Sequence, residues 1–142
     1  MKKIKLRTEY NYDFYLFGIV SKSKEYSLTW SINKSSGLGL IKMDDLVIDI
    51  KNDQQLQVSN YYYQTESSTY YLINNRLITD LPENPALLAP SLKSFDYILK
   101  METETGEEEV ENLFSQIRTA ENIDMIVKLD VNKIKEKENF LF

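Results

Sequence analysis

Two residue types are missing from this chain of 142 residues: there is no cysteine and no histidine. Without cysteine there is no disulfide, no thiolate nucleophile and no zinc–thiolate site. Without histidine there is no imidazole base for a catalytic triad, no imidazole metal ligand and no histidine pH switch. Glycine is scarce, at four residues, and no G-x-G-x-x-G, P-loop or G-x-S-x-G motif occurs. Long apolar runs are missing too. The longest, Phe14 to Val20, has seven residues, far short of the roughly 20 needed to cross a bilayer as a helix. Glu9 and Asp13 separate it from the basic start, which is not the order of a signal peptide. No membrane association and a cytoplasmic location are therefore expected.

What is present fits one soluble globular domain over residues 1–142. Hydrophobic residues make up 42% and charged residues 27%, a balance that can build a core without staples. Seventeen basic against 22 acidic residues leave a net charge of −5, which argues against nucleic acid as a partner. Lys2, Lys3, Lys5 and Arg7 are the exception. They read as the solvated face of a first strand over Lys3–Tyr10, with Ile4 and Leu6 on its other face; weak RNA contact is the alternative.

The pattern predicts an α+β fold, a mostly antiparallel sheet with helices packed on one face. A short helix is expected over Phe14–Ser21, capped by Asn11 or Asp13. Residues 24–36 alternate at Tyr26, Leu28, Trp30 and Ile32 as a strand would. Leu28, Ile32 and Ser35 also fall at helical spacing, and Gly37 stands where a left-handed C-cap belongs; helix is the reading adopted. Leu46–Lys51, Leu56–Gln64 and Thr69–Ile73 read as strands of a meander, with Asn52–Asp53 and Glu66–Ser68 as turns. All three prolines fall between Thr79 and Ser94, so that segment is a loop, and its leucines must cover something. Phe95–Met101 reads as a central strand, with Phe95, Tyr97, Leu99 and Met101 on one face and Ile98 on the other. Thr105 and Glu108 form a capping box for a helix whose Val110, Leu113, Phe114 and Ile117 make an apolar stripe. Ile123–Leu129 is the last strand, and the unit from Phe95 to Val131 is long enough for a parallel crossover. The apolar end, Phe140 to Phe142, is expected to dock.

The stretch Ala89-Pro90-Ser91-Leu92-Lys93-Ser94-Phe95-Asp96-Tyr97 resembles the bacterial IPExxxVDY family. Pro90, Asp96 and Tyr97 match its pattern, Ala89 and Phe95 keep apolar character, and Ser91 stands in place of the glutamate. Asp13-Phe14, Gly18-Ile19, Trp30, Asn33-Lys34 and Asp44-Asp45-Leu46 extend the likeness along most of the chain. The resemblance implies a single bacterial intracellular domain. It implies no activity, cofactor or partner.

Candidate sites are few. Asp44-Asp45 lacks the spaced carboxylates of a calcium loop and reads as a strand-start or turn pair. Glu102, Glu104, Glu107, Glu108, Glu109 and Glu111 suit the positive end of a helix. Five of the ten tyrosines, Tyr61, Tyr62, Tyr63, Tyr70 and Tyr71, concentrate in one proposed hairpin. They serve sheet packing or an aromatic contact surface, and the hairpin can offer an edge strand for pairing with a second copy. With Leu81, Leu87 and Leu88 they form the candidate interaction surface. The expected function is a non-catalytic protein-interaction or scaffolding domain, with an unknown protein or a second copy as partner and homodimerisation through that surface. The alternative is a small-molecule binder or enzyme using carboxylate and tyrosine chemistry, for which Asp96 with Arg76 and Asp13 with Asp45 are the pairs to inspect. No cofactor and no metal is expected.

Overall fold

The computed structural model describes residues 12–50, 54–79 and 86–142. Among them the chain forms β1 (Tyr15–Val20), α1 (Glu25–Ser36), β2 (Ile41–Ile50), β3 (Gln54–Gln64), β4 (Ser68–Asn74), β5 (Tyr97–Thr103), α2 (Glu107–Arg118) and β6 (Met125–Leu129). The six strands make one sheet in the order β2-β3-β4-β5-β1-β6, and every neighbouring pair is antiparallel. This is the α+β architecture expected. β2 to β5 are the meander. β1 lies between β5 and β6 and opposes both, so β5 and β6 run parallel to each other, and α2 is the crossover that joins them.

Period-two alternation divides the side chains between two faces. Tyr70 and Leu72 of β4, with Tyr97, Leu99 and Met101 of β5, meet Leu28 and Ile32 of α1 and Val110, Leu113 and Ile117 of α2. The helices thus cover one face. The other face, including Leu16, Ile73 and Ile98, packs against Leu88 and Ala89 of the proline-containing loop and against Val131, Ile134 and Phe140 of the C-terminal tail. The expected docking of the apolar end is seen here: the tail makes short 3₁₀ turns at Val131–Lys133 and Lys137–Phe140, and the Phe140 ring is fully buried. Leu88 and Leu92 of the loop do cover the sheet, as predicted.

Four expectations need correction. Phe14–Ser21 is not a helix but the strand β1. A short run that is apolar on every residue suits a central strand buried on both faces as well as a buried helix, and periodicity cannot separate them. Gly18 decides in favour of close packing: a Cβ there would sit 2.6 Å from the Phe95 ring. Phe95 itself precedes β5 and packs on the tail-covered face, not with Tyr97 and Leu99. The capping box does not form. Gly106, at φ 90, is the N-cap of α2 without a side-chain cap bond. Thr105 instead donates to the carboxylate of Glu109, which also accepts from Ser68 (3.1 Å) and Tyr70 (3.3 Å). Phe114 is only half-buried, its ring stacked on Phe17 at 6.0 Å while Arg118 lies 5.8 Å from the ring centre. The expected strand over Lys3–Tyr10 and the turn at Asn52–Asp53 lie outside the described residues.

The helix over residues 24–36 forms as read, and Gly37 at φ 81 caps it. Tyr26 and Trp30, which a strand alternation would bury with Leu28, are exposed.

Candidate functional site

The tyrosines pair across the middle of the sheet. Tyr63 faces Tyr70 in the register of β3 and β4, their rings stacked at 6.0 Å. Tyr62 faces Tyr71 on the opposite side, edge to face at 5.2 Å, and Tyr71 in turn meets Phe142 at 5.0 Å. Tyr61 packs against the helix-covered core. Tyr70 is buried and Tyr61, Tyr62, Tyr63 and Tyr71 are half-buried. Because β2 flanks β3 and β5 flanks β4, this hairpin has no open edge, contrary to the sequence expectation. Leu88 is fully buried and offers nothing to a partner. Leu87 is half-buried and bridges to Arg76, and Leu81 lies outside the described residues.

Burial raises the phenols of Tyr61, Tyr70 and Tyr71, and pushes Tyr97 up to about 12, with Glu25 and Asp96 adding to it. Unfolded tyrosine loses its proton near pH 10. Between pH 10 and 12 the folded chain therefore holds a proton at Tyr97 that the unfolded chain has released. Stability from this group is complete below pH 10 and disappears as pH rises through 12. The expected loss is about 2–3 kcal/mol, from about 1.4 kcal/mol per unit. Tyr97→Phe should flatten that part of the stability–pH curve in urea titrations. An unchanged curve would show that the phenol does not titrate with unfolding.

The open edge is β2, which has no strand neighbour on its outer side among the described residues. It carries Ile41, Met43 and Val47 at 60%, 44% and 58% exposure. Met43 is opposite Asn60 and Leu46 opposite Val58, so Asp44 and Asp45 together oppose Ser59 in a bulge. Asp45 accepts from Gln57 (3.0 Å) and pairs with Lys42 (3.2 Å). These bonds, Gln57 first, hold its carboxyl below the usual range. Lys42 also donates to the Ser59 hydroxyl (2.8 Å), which donates to Glu25 (2.7 Å), and Asn74 donates to the same carboxylate (2.9 Å). This polar chain ties the edge strand to the first turn of α1. Sequence reading started this strand at Leu46 and missed the edge. The signal was Ile41 and Met43 on one parity, Leu46 and Ile48 on the other, with two aspartates between: the mark of a one-residue bulge.

A second concave feature lies where β1 and β4 end and β5 begins. Its volume is about 220 Å³, and its lining includes Ser21, Asn74, Arg76, Lys93, Asp96 and Tyr97. It brings Asp96 and Arg76 to one place without an ion pair between them. Asp96 accepts from the Ser21 N–H (2.9 Å), and Tyr97 donates to the Ser23 carbonyl (2.8 Å). Pro90 opens a 3₁₀ turn, and the Ser91 N–H and hydroxyl both donate to Glu136, the former at 3.0 Å. The Asn75 side chain closes the loop by accepting from Ala89 N–H (2.9 Å) and donating to the carbonyls of Leu92 (3.0 Å) and Phe95 (3.1 Å). The residues that carried the resemblance thus fasten three segments together. Asp13 and Asp45 are not brought together: Asp13 borders another hollow, of about 370 Å³, with Glu66, Glu102 and Glu104, while Asp45 belongs to β2. Among the described residues no group of three or more carboxylates could hold a metal ion.

No protein-family model, no curated protein and no solved structure matches this chain. Its function is therefore read from its own residues. Among the described residues no helix is long and apolar enough to cross a membrane.

Proposed function

We propose that this protein is a non-catalytic interaction domain that binds an extended basic segment of a partner protein along β2. The observation that carries this is the ten-residue edge strand with three exposed apolar side chains. An open edge offers a row of unpaired N–H and C=O groups to an added strand, and alternate side chains supply the specificity. The opposite edge, β6, has five residues and carries Lys128.

Charge selects the occupant. Asp44, Asp45 and Asp49 stand on β2 against the single Lys42. Two copies pairing through this edge about the bulge would set Ile41 against Ile48 and Met43 against Leu46. The same register would gather Asp44 and Asp45 of both copies at the centre, and like charges placed opposite each other are destabilising. A strand alternating lysine or arginine with apolar residues meets the carboxylates and the apolar side chains together. Membership of the IPExxxVDY family is part of this proposal, supported by the joint use of Pro90, Asp96 and Tyr97 in one fastener.

The test is calorimetry with a synthetic peptide of the length of β2 in which lysine alternates with isoleucine, beside its glutamate counterpart. Binding of the lysine peptide alone is expected, weakened about tenfold, or ~1.4 kcal/mol, by Val47→Lys or Met43→Lys. Equal binding of both peptides, or of neither, overturns the reading. A dimer in light scattering that Val47→Lys dissociates would replace the basic segment by a second copy.

A further inference from the structure

We propose that the cavity between the ends of β1 and β4 and the start of β5 is a binding site for a small oxyanion that carries a hydrogen-bond donor beside its charge, such as a hydroxycarboxylate or a protonated phosphate. This site is separate from the β2 edge and does not depend on it.

Arg76 and Lys93 both line the cavity and both are exposed. Neither side chain has an ion pair or hydrogen bond to the described residues. Among the other described cations, Lys42, Lys100 and Lys128 sit in ion pairs, Lys34, Lys137 and Arg118 lie over aromatic rings, and Lys22, Lys24, Lys133 and Lys135 also have no side-chain partner; what sets Arg76 and Lys93 apart is that one hollow holds both. A chain with net charge −5 here sets two free cations around one hollow. Guanidinium presents a planar fork of donors suited to a carboxylate or phosphate, and ammonium adds a point charge.

The walls are already satisfied, which keeps the hollow in shape. Asn74 accepts from the Arg76 N–H (2.9 Å) and donates to Glu25. Tyr97 donates to Ser23. The Asn75 side chain holds the loop that carries Lys93 through the Leu92 and Phe95 carbonyls. A pocket ordered before binding avoids the entropy of ordering it afterwards.

Asp96 sets the finer selectivity. One carboxylate oxygen accepts from Ser21 N–H; the other has no partner among the described residues. The lining itself carries two cations and one carboxylate, net positive by one charge; the Glu25 carboxylate behind Asn74 is engaged by Asn74 and Ser59. A bare dianion would face the Asp96 oxygen with nothing to donate. An anion with its own hydroxyl satisfies that oxygen while its charge meets Arg76 and Lys93.

The experiment is amide NMR titration at mildly acidic pH, where phosphate is protonated and sulfate is not. Inorganic phosphate is compared with sulfate, and glycolate with acetate. Shifts confined to Ser21 and to residues 74–76 and 93–97 are expected with phosphate and glycolate. Sulfate and acetate should bind several-fold more weakly. Stronger binding of one donor-bearing probe than of the other tells phosphate from carboxylate as the source. Arg76→Gln and Lys93→Gln, both at exposed positions, should each weaken binding about tenfold with circular dichroism unchanged, and Asp96→Asn should narrow the preference for donor-bearing anions. No shifts at millimolar anion, or shifts that survive both cation substitutions, overturn the proposal.

Discussion

Phe17→Ala is expected to lower the free energy of unfolding by about 3–5 kcal/mol, the usual cost of deleting a buried phenylalanine. Phe17 is fully buried in the middle of β1, opposite Leu99 of β5 and Lys128 of β6. Its ring belongs to the core that both helices cover, and it stacks on Phe114 at 6.0 Å. Truncation would remove the ring from beneath α2, and β1, clamped by strands on both sides, cannot move in to fill the space. The measurement is urea unfolding, where the midpoint should fall at constant m. Phe114→Ala is the internal comparison: Phe114 is half-exposed, so its loss should be clearly smaller. If Phe114→Ala costs as much as Phe17→Ala, the ring pair rather than the burial of Phe17 governs this part of the core.

Lys100→Ala is expected to cost a similar amount, for a different reason. Lys100 is a mid-strand residue of β5 with 1% exposure. Its ammonium donates to the carbonyls of Phe140 (2.8 Å) and Phe142 (3.2 Å) and pairs with Glu102 at 3.1 Å. Phe14 and Phe142 surround it at 4.6 and 4.1 Å from their ring centres, with Tyr71 at 5.3 Å. Alanine would leave two carbonyls of the tail without their donor and a hollow inside the ring of aromatics, a loss of about 3–5 kcal/mol. Lys100→Met fills the hollow and removes the buried charge but still leaves the two carbonyls without their donor, so it should cost less than alanine by the cavity part of the loss. Amide exchange should quicken over residues 137–142 in both variants, since the latch on the tail is gone in both. If methionine and alanine are equally damaging, the charge itself is the essential element.

Burial also lowers the proton affinity of Lys100, against the opposing pull of Glu102. From that lowered value up to 10.5 the unfolded chain binds more protons than the folded one. The Lys100 contribution therefore rises with pH across that window, and this rise should be missing in Lys100→Met. Above pH 10 the tyrosines act in the opposite direction.

Legibility followed the kind of signal each element carries. The α2 stripe at Val110, Leu113 and Ile117 is written at helical spacing, and it packs as written. β3, β4 and β5 carry strand-forming residues between turn signals and were found to within about two residues, the ordinary uncertainty of element ends. β1 was misread because a strand buried on both faces has no polar phase to mark its period. The capping box was a real local pattern, overridden when Glu109, between two hydroxyls on β4 and Thr105, became the better acceptor. Of the proposed tyrosine surface, the cross-strand pairs were inferable. Their interior position was not, because it depends on β2 and β5 lying outside them.

By itself, the sequence determined the class of the fold, the meander, the crossover through α2, the apolar docking of the tail and the absence of thiol and imidazole chemistry. These depend on composition and on periodicities of two and 3.6, which neighbouring residues express without reference to the rest of the chain. Strand order was decided only in three dimensions. So were the insertion of β1 between β5 and β6, the choice of β2 rather than the tyrosine hairpin as open edge, and the meeting of Arg76, Lys93 and Asp96 around one cavity. The burial of a lysine in mid-strand belongs with them. Each depends on contacts between residues far apart in the chain, whose energy exists only once the sheet has closed around them.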